Sequence, residues 1–223
     1  MKKKNQIETN LVKMENFLDY EKNIEVDNET FKKLMLIYSF AIKELETKID
    51  IISQEYKNFY DYDLIDHINT RIKKPESIIK KMQDRQIDIT YKDMINNIND
   101  IAGIRIICPL KKDIFSIKDI VLNIPGVNVI KQKDYITNPK KSGYSSYHLI
   151  VEVPVTLSKN IIYVKVEVQI RTMAMDFWAE IEHKMKYKTD KDIDKSYSKE
   201  WINCAKIIGK LDNKMMLLNN WLD

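Results

Sequence analysis

The run from Tyr163 to Arg171 alternates strictly, with Val164, Val166, Val168 and Ile170 on one side of a strand and Lys165, Glu167, Gln169 and Arg171 on the other. A carboxylate is thereby presented mid-strand between an amide and two cations. From that strand alone the row reads as a solvated face; two other residues turn it toward chemistry. Asp100 opens the apolar run Ile101–Ile107. A carboxylate at a strand end can join one from a neighbouring strand to hold Mg²⁺, which takes oxygen ligands and keeps waters where it also meets phosphates. Arg105 interrupts the same run, and a guanidinium placed there needs an anion or a stacking surface.

Two flanking segments carry complementary chemistry. Upstream, RIKKPESIIKK sets Arg71, Lys73, Lys74, Lys80 and Lys81 around a helix begun by Pro75, whose Ser77 hydroxyl and free N–H groups can meet phosphate. By itself this is a common solvated basic patch. Downstream, KKSGYSSYH places Lys140, Lys141 and Tyr144 in a polar loop beside Gly143, with His148 opening the next strand. Tyr144 can stack on a base.

The elements that must position these residues follow from periodicity. Residues 1–28 are polar and weakly periodic, and a frayed or loosely helical start is expected. From Glu29, apolar residues recur at spacings of three and four as far as Tyr56, which predicts one long amphipathic helix. A short helix is predicted over Leu64–Ile72 and another from Pro75. Strands are predicted at DIAGIRIIC, VNVIKQKDYI, YHLIVEVPV and IIYVKVEVQI, with a helix at about Ile114–Ile124. A helix then follows the last strand directly, with Met173, Phe177, Trp178, Ile181 and Met185 on its apolar face. A final helix carries a stripe from Trp201 through Cys204, Ala205, Ile208, Leu211, Met215 and Leu218 to Leu222, suited to core or to subunit contact. The expected fold class is α+β: a mixed β-sheet of about five strands flanked by helices, with long N- and C-terminal helices. Residues 29–190 form the expected functional domain, and 191–223 an oligomer-contact helix.

Composition bounds the function. The chain has 223 residues, 44% hydrophobic and 31% charged, with 37 Lys+Arg against 33 Asp+Glu for a net charge of +4. That balance is too mixed for an arm coating DNA and gives no indication of RNA. No run of about 18 apolar residues suggests a membrane span, and a cytoplasmic protein is expected. Four glycines are too few for a Walker loop or a GxGxxG turn, so bound phosphate would be held by side chains. Cys108 and Cys204 form no CxxC pair and read as two reduced core thiols. All but four of the 37 cations are Lys; Arg71, Arg85, Arg105 and Arg171 stand out where a planar, forked cation is needed.

Four segments, RIKKPESI, NDIAGIRI, KDYITNPKKSGYSSYHL and VKVEVQIRTMAMDFWAEIEHKMKYK, together resemble the synthetase domain of the RelA/SpoT family, specifically the single-domain small alarmone synthetases of the RelQ kind. The resemblance spans roughly residues 30–210. It implies transfer of the β,γ-pyrophosphate of ATP to the 3′-hydroxyl of GDP or GTP, possible use of GMP, a Mg²⁺ cofactor, no hydrolase domain, a homotetramer, and an alarmone as allosteric ligand. Carried across by motif, Asp100 and Glu167 bind Mg²⁺, and Glu167 also serves as general base. Arg71, Lys73, Ser77, Lys81 and Arg105 hold ATP, the two arginines sandwiching adenine. Lys133, Lys140, Lys141, Tyr144, His148, Gln169 and Asp176 hold the guanosine nucleotide, with Tyr144 stacking on guanine and Asp176 reading its edge. The loop departs from relatives at Thr137 and Ser145, where cations are usual, which implies weaker discrimination in favour of GTP. His67, Glu180 and His183 read as ordinary helix residues. The competing readings are another Mg²⁺-dependent nucleotidyltransferase and a degenerate nucleotide- or RNA-binding module.

Overall fold

The computed structural model describes residues 10–12, 14, 28–188, 195–219 and 221. The chain runs β1 (Asn10–Val12), α1 (Asn28–Phe59), β2 (His67–Ile72), α2 (Pro75–Asp84), α3 (Tyr91–Asn97), β3 (Ala102–Cys108), α4 (Lys111–Leu122), β4 (Asn128–Asp134), β5 (Tyr147–Thr156), β6 (Asn160–Thr172), α5 (Met173–Lys188) and α6 (Lys195–Asn219). The strands form one mixed sheet in the order β2-β3-β6-β5-β4. β3 and β6 are parallel and the other neighbours in this order antiparallel. β1 pairs in parallel with Asn160–Ile162, the part of β6 that lies before its pairing with β3 begins. The fold is α+β, as the sequence predicts.

One face of the sheet is the core. Leu149, Val151 and Val153 of β5 and Ile162, Val164, Val166, Val168 and Ile170 of β6 are all buried. They meet the stripe Leu34, Ile37, Tyr38, Ala41, Ile42, Leu45 and Ile49 of α1, with Ile114, Ile117 and Val121 of α4 alongside. Each such Leu or Ile contributes on the order of 2 kcal/mol before entropy. This burial fixes the register, because a one-residue slip would turn every valine of β6 to the other side. The opposite face therefore presents Lys165, Glu167, Gln169 and Arg171 as a set.

Four expectations are corrected. Leu64–Ile72 is not a helix: residues His67–Ile72 are an edge strand, antiparallel to β3. Ile68 and Ile72 lie four apart, a spacing that shares a face in either conformation, and pairing with β3 decides between them. His67 is accordingly a strand residue. In the start expected to be frayed or loosely helical, Asn10–Val12 form a strand, while Met14 is helical and Asn28 opens α1; the other residues of that segment lie outside the described residues. On α5, Trp178 is buried as expected, but Met173, Phe177 and Met185 are exposed, and Met175 and Ala179 are buried in their place. Cys108 is buried, but Cys204 is exposed on α6. The helix α3 was not anticipated, although its sequence signal was present. Thr90 caps it, accepting from the Asp93 N–H at 3.1 Å while donating to the Asp93 carboxylate at 2.6 Å. Among the described residues no helix is long and apolar enough to cross a membrane.

Candidate active site

Cross-strand register assembles the site on the polar face of the sheet. Gly103 lies opposite Glu167, and Arg105 opposite Gln169, across the parallel β3/β6 pair. On the other side of β6, Ile150 faces Glu167 and His148 faces Gln169. β2 adds Arg71 beside Gly103, and β4 adds Lys133 beside His148. Asp100 sits just before β3, so its carboxylate approaches the same face from the strand end.

Two cavities open here, and Glu167 lines both. The first, about 360 Å³, is bounded by Arg71, Arg105, Gly103, Asn69, Gln169, Asp176 and Glu180 among others. Gly103 lies beside the Arg71 side chain, close enough that an added Cβ would meet it at 3.4 Å, an ordinary contact. The second, about 220 Å³, is walled by Lys81, Arg85, Asn99, Asp100, Lys131, Lys133, His148 and Ile150. One cavity thus offers two guanidinium groups and the other a ring of cations around two carboxylates.

Asp100 is held by two ammonium groups. Lys73 and Lys81 each donate to its Oδ2 at 2.7 Å, while Oδ1 is buried without a partner. Burial works to raise the Asp100 pKa, but the two lysines more than offset it and hold the carboxyl below its ordinary range. For Lys81 burial prevails and lowers its pKa.

Glu167 is tethered at both oxygens. Gln169 donates to Oε2 at 2.9 Å, and His148 Nδ1 lies 3.4 Å from Oε1. Burial raises its pKa, and the hydrogen bonds from His148 and Gln169 outweigh that, so the carboxyl stays below its usual value and is ionised at neutral pH. Burial keeps His148 neutral by lowering its pKa. Arg71 is more distant, 4.0 Å from Oε2.

Arg105 meets its need for an anion within the protein: it contacts Asp176 at 3.1 Å and Glu180 at 2.6 Å. Asp176 also accepts from Arg171 at 3.1 Å, so its carboxylate is shared by two arginines. Tyr144 lies under Lys140, 4.6 Å from the ammonium to the ring centroid, and bonds His148 through its hydroxyl at 2.8 Å.

The structure brings Asp100, Glu167, Arg71, Lys81, Arg105, Lys133, His148, Gln169 and Asp176 to the lining of these two cavities. Lys73 joins through Asp100, and Tyr144 through His148. Ser77 is exposed in the first turn of α2, and Lys140 and Lys141 are exposed in the loop after β4; these three line neither cavity. Asp176 lines the cavity of the two arginines rather than one built around Tyr144.

Sequence reasoning missed Glu180, which stands one helical turn beyond Asp176 on the same face and so carried a readable signal. Lys131 and Arg85 were also missed as lining residues. Lys131 sits two positions before Lys133 on the same side of β4, but the register irregularity between Val129 and Lys131 obscures the rest of that strand.

The family described as "Region found in RelA / SpoT proteins" matches residues 70–192, which contain all the cavity-lining residues named above except Asn69. The chain belongs to the RelA/SpoT family. It is 43% identical over 195 residues to the GTP pyrophosphokinase YwaC of Bacillus subtilis, covering 87% of this chain and 93% of that protein. The crystal structure of small alarmone synthetase 2 from B. subtilis superposes with a TM-score of 0.78 at 41% identity, covering 85% of this chain and 98% of that one. Small alarmone synthetase 1 from B. subtilis, bound to its product pppGpp, gives a TM-score of 0.80 at 32% identity, with 86% and 98% covered.

Proposed function

We propose that this RelA/SpoT-family protein is a GTP pyrophosphokinase, an alarmone synthetase of the stringent response acting in the cytoplasm. It transfers the β,γ-pyrophosphate of ATP to the 3′-hydroxyl of GDP or GTP and releases AMP. The observation that carries this reading is the position of Glu167 where the two cavities meet. A donor on one side and an acceptor on the other would both reach its carboxylate.

The 3′-oxygen attacks the β-phosphorus as the bond from that phosphorus to the α,β-bridging oxygen breaks, and AMP leaves with the oxygen. Glu167, ionised and held by His148 and Gln169, accepts the hydroxyl proton. Arg71 and Arg105 flank adenine in the larger cavity, a stacking role that lysine fills poorly. For Arg105 this means exchanging part of its pairing with Asp176 and Glu180 for the base. Lys73, Lys81 and Ser77 face the donor phosphates, and Lys133, Lys140 and Lys141 those of the acceptor. Tyr144 stacks on guanine, while Asp176 accepts from its N1–H and N2 amine. Charge neutralisation and alignment carry most of such a transfer.

The donors fit Mg²⁺. Asp100 keeps a buried oxygen without a partner, and Glu167 lines the same cavity with oxygen only. Among the described residues no group of three or more His, Cys, Asp or Glu side chains is placed to hold a metal ion by itself. That suits an ion taking its remaining ligands from water and phosphate. When bound, it would neutralise negative charge on the β- and γ-phosphates. Thr137 supports the proposed tolerance of GDP and GMP, since its hydroxyl is spent on Asp134 at 2.6 Å. The exposed Leu211, Met215 and Leu218 of α6 support self-assembly, with a homotetramer as the proposed state and an alarmone as its allosteric ligand.

The test is to incubate the protein with Mg²⁺ and γ-labelled ATP, with GMP, GDP, GTP or no acceptor, beside Glu167→Gln. Label in a guanosine 3′-diphosphate product, AMP in equal amount, and loss of both in the variant are expected. ATP left intact with every guanine nucleotide would overturn the reading in favour of nucleotide binding without turnover.

A further inference from the structure

Arg171 is the most deeply buried of the four arginines, 4% exposed, and its Nε has no partner. It shares the polar face of β6 with Glu167 but sits four residues away, roughly 13 Å along a strand. Direct contact with the Glu167 carboxylate is not recorded. The two are joined instead through two separate arms.

In the first arm, Arg171 Nη2 donates to the Tyr144 hydroxyl at 2.5 Å, and that hydroxyl meets His148 Nε2 at 2.8 Å. Because the oxygen accepts from a guanidinium that can only donate, the single O–H points to Nε2. The imidazole proton then lies on Nδ1, which faces Glu167 Oε1 at 3.4 Å. In the second arm, the same Nη2 donates to Gln169 Oε1 at 2.8 Å, which fixes the amide so that its Nε2 donates to Glu167 Oε2 at 2.9 Å. Both arms end on the two different oxygens of one carboxylate. Nη1 meanwhile anchors on Asp176 at 3.1 Å, and the guanidinium lies over the Tyr144 ring, 5.0 Å from its centroid.

We propose that Arg171 is the positioning residue of the transfer reaction: one forked guanidinium sets the orientation of Glu167 through Tyr144–His148 and through Gln169, and ties it to Asp176. Two separate nitrogens of one rigid plane serve these three acceptors, a spread that the single nitrogen of a lysine does not reproduce. Tyr144 then has a second role besides stacking, and contact of an acceptor base with its ring bears directly on how the carboxylate is held. This inference rests on the synthetase reading above, and its test includes a readout independent of turnover.

The variants are Arg171→Lys, Tyr144→Phe and the double variant, with thermal melts checking the fold. Tyr144→Phe keeps the ring and removes only the hydroxyl link. It should lower kcat about fivefold, the net effect of about 1 kcal/mol of lost hydrogen bonding, with KM for ATP and acceptor little changed. Arg171→Lys should lower kcat by about tenfold or more, again with KM for ATP within about twofold. The double variant should lose much less than the product of the two single losses, because part of the Tyr144 effect passes through Arg171. Multiplicative losses, or unchanged kcat in both single variants, would overturn the proposal.

The second readout is ¹⁵N NMR of the three histidines. His148 should carry its proton on Nδ1. Its Nε2 resonance should move in Tyr144→Phe and also in Arg171→Lys, a variant that keeps the positive charge, although no hydrogen bond joins Arg171 to the imidazole. A proton on Nε2 in the wild type, or an unmoved Nε2 resonance in Arg171→Lys, would overturn it. If the wild type transfers no pyrophosphate, the synthetase reading fails while this measurement still decides whether the relay exists.

Discussion

Replacing Asp100 by Asn separates what this carboxylate does for the fold from what it does for the reaction. Its side chain is 14% exposed and accepts from Lys73 and Lys81, themselves 19% and 27% exposed, at 2.7 Å each. The amide of Asp100→Asn keeps one oxygen but no charge, so two ammonium groups converge with nothing to neutralise them. Two charge-assisted hydrogen bonds are worth about 1.5 to 3 kcal/mol each, and the lysines recover part of that by turning to water. The net loss is about 2 to 3 kcal/mol. For a chain of this size that lowers Tm by roughly 5 to 10 °C. Adding Lys81→Met removes the repulsion while keeping the apolar stem and should restore most of the melting temperature. Neither variant should recover pyrophosphate transfer. The lysines hold the Asp100 pKa down. Its stabilising contribution is therefore complete above the ordinary carboxylate range and fades only as pH falls through the depressed folded value. Differential scanning fluorimetry from pH 8 down to about pH 2, with transfer assays on the samples near neutral pH, checks this. A Tm for Asp100→Asn within about 1 °C of the wild type, or no recovery on adding Lys81→Met, would refute the reasoning.

Three other outcomes are expected. Gly143 has φ +91°, and a Cβ there would come within 2.5 Å of the Ala205 Cβ on α6, so Gly143→Ala should push the Tyr144 loop away from that helix. Steady-state kinetics should show a raised KM for the guanine nucleotide and an unchanged KM for ATP, with Ala205→Gly partly restoring the former. Asp212 is buried and accepts from Thr172 at 3.0 Å; burial raises its pKa, so ionising it costs stability above the folded value. Asp212→Asn, which can still accept that bond, should melt higher than the wild type at pH 8, and the difference should vanish below the unfolded carboxylate pKa. Introducing cations by Thr137→Lys with Ser145→Arg should shift acceptor preference toward GTP in a competition assay of GDP against GTP, the more so at low salt.

Much of the site was legible because its signals are local. Strict alternation placed Glu167, Gln169 and Arg171 on one face of β6, and the structure keeps them there. Arg105 in an apolar strand announced a need for an anion, met by Asp176 and Glu180. The strand β2 was misread because Ile68 and Ile72 satisfy helical and extended spacing alike. The apolar face of α5 was misplaced for a related reason: periodicity shows that a helix has an apolar side, but the sheet and α6 choose which residues are covered.

The amino-acid sequence by itself determined the α+β class, the long first helix, the polar face of β6 and, through four ordered segments, the family. Those depend on side-chain period and residue type, which act within a few positions. Only the tertiary structure decided that Glu167 stands between two cavities, that Asp100 is shared by two lysines, and that Arg171 reaches Glu167 through two arms. Each of these depends on which strand lies beside which, and in what register. Register is set by packing α1 and α4 against the buried valines of the opposite face, an interaction between residues far apart in the chain, more than a hundred positions for α1, that no local pattern encodes.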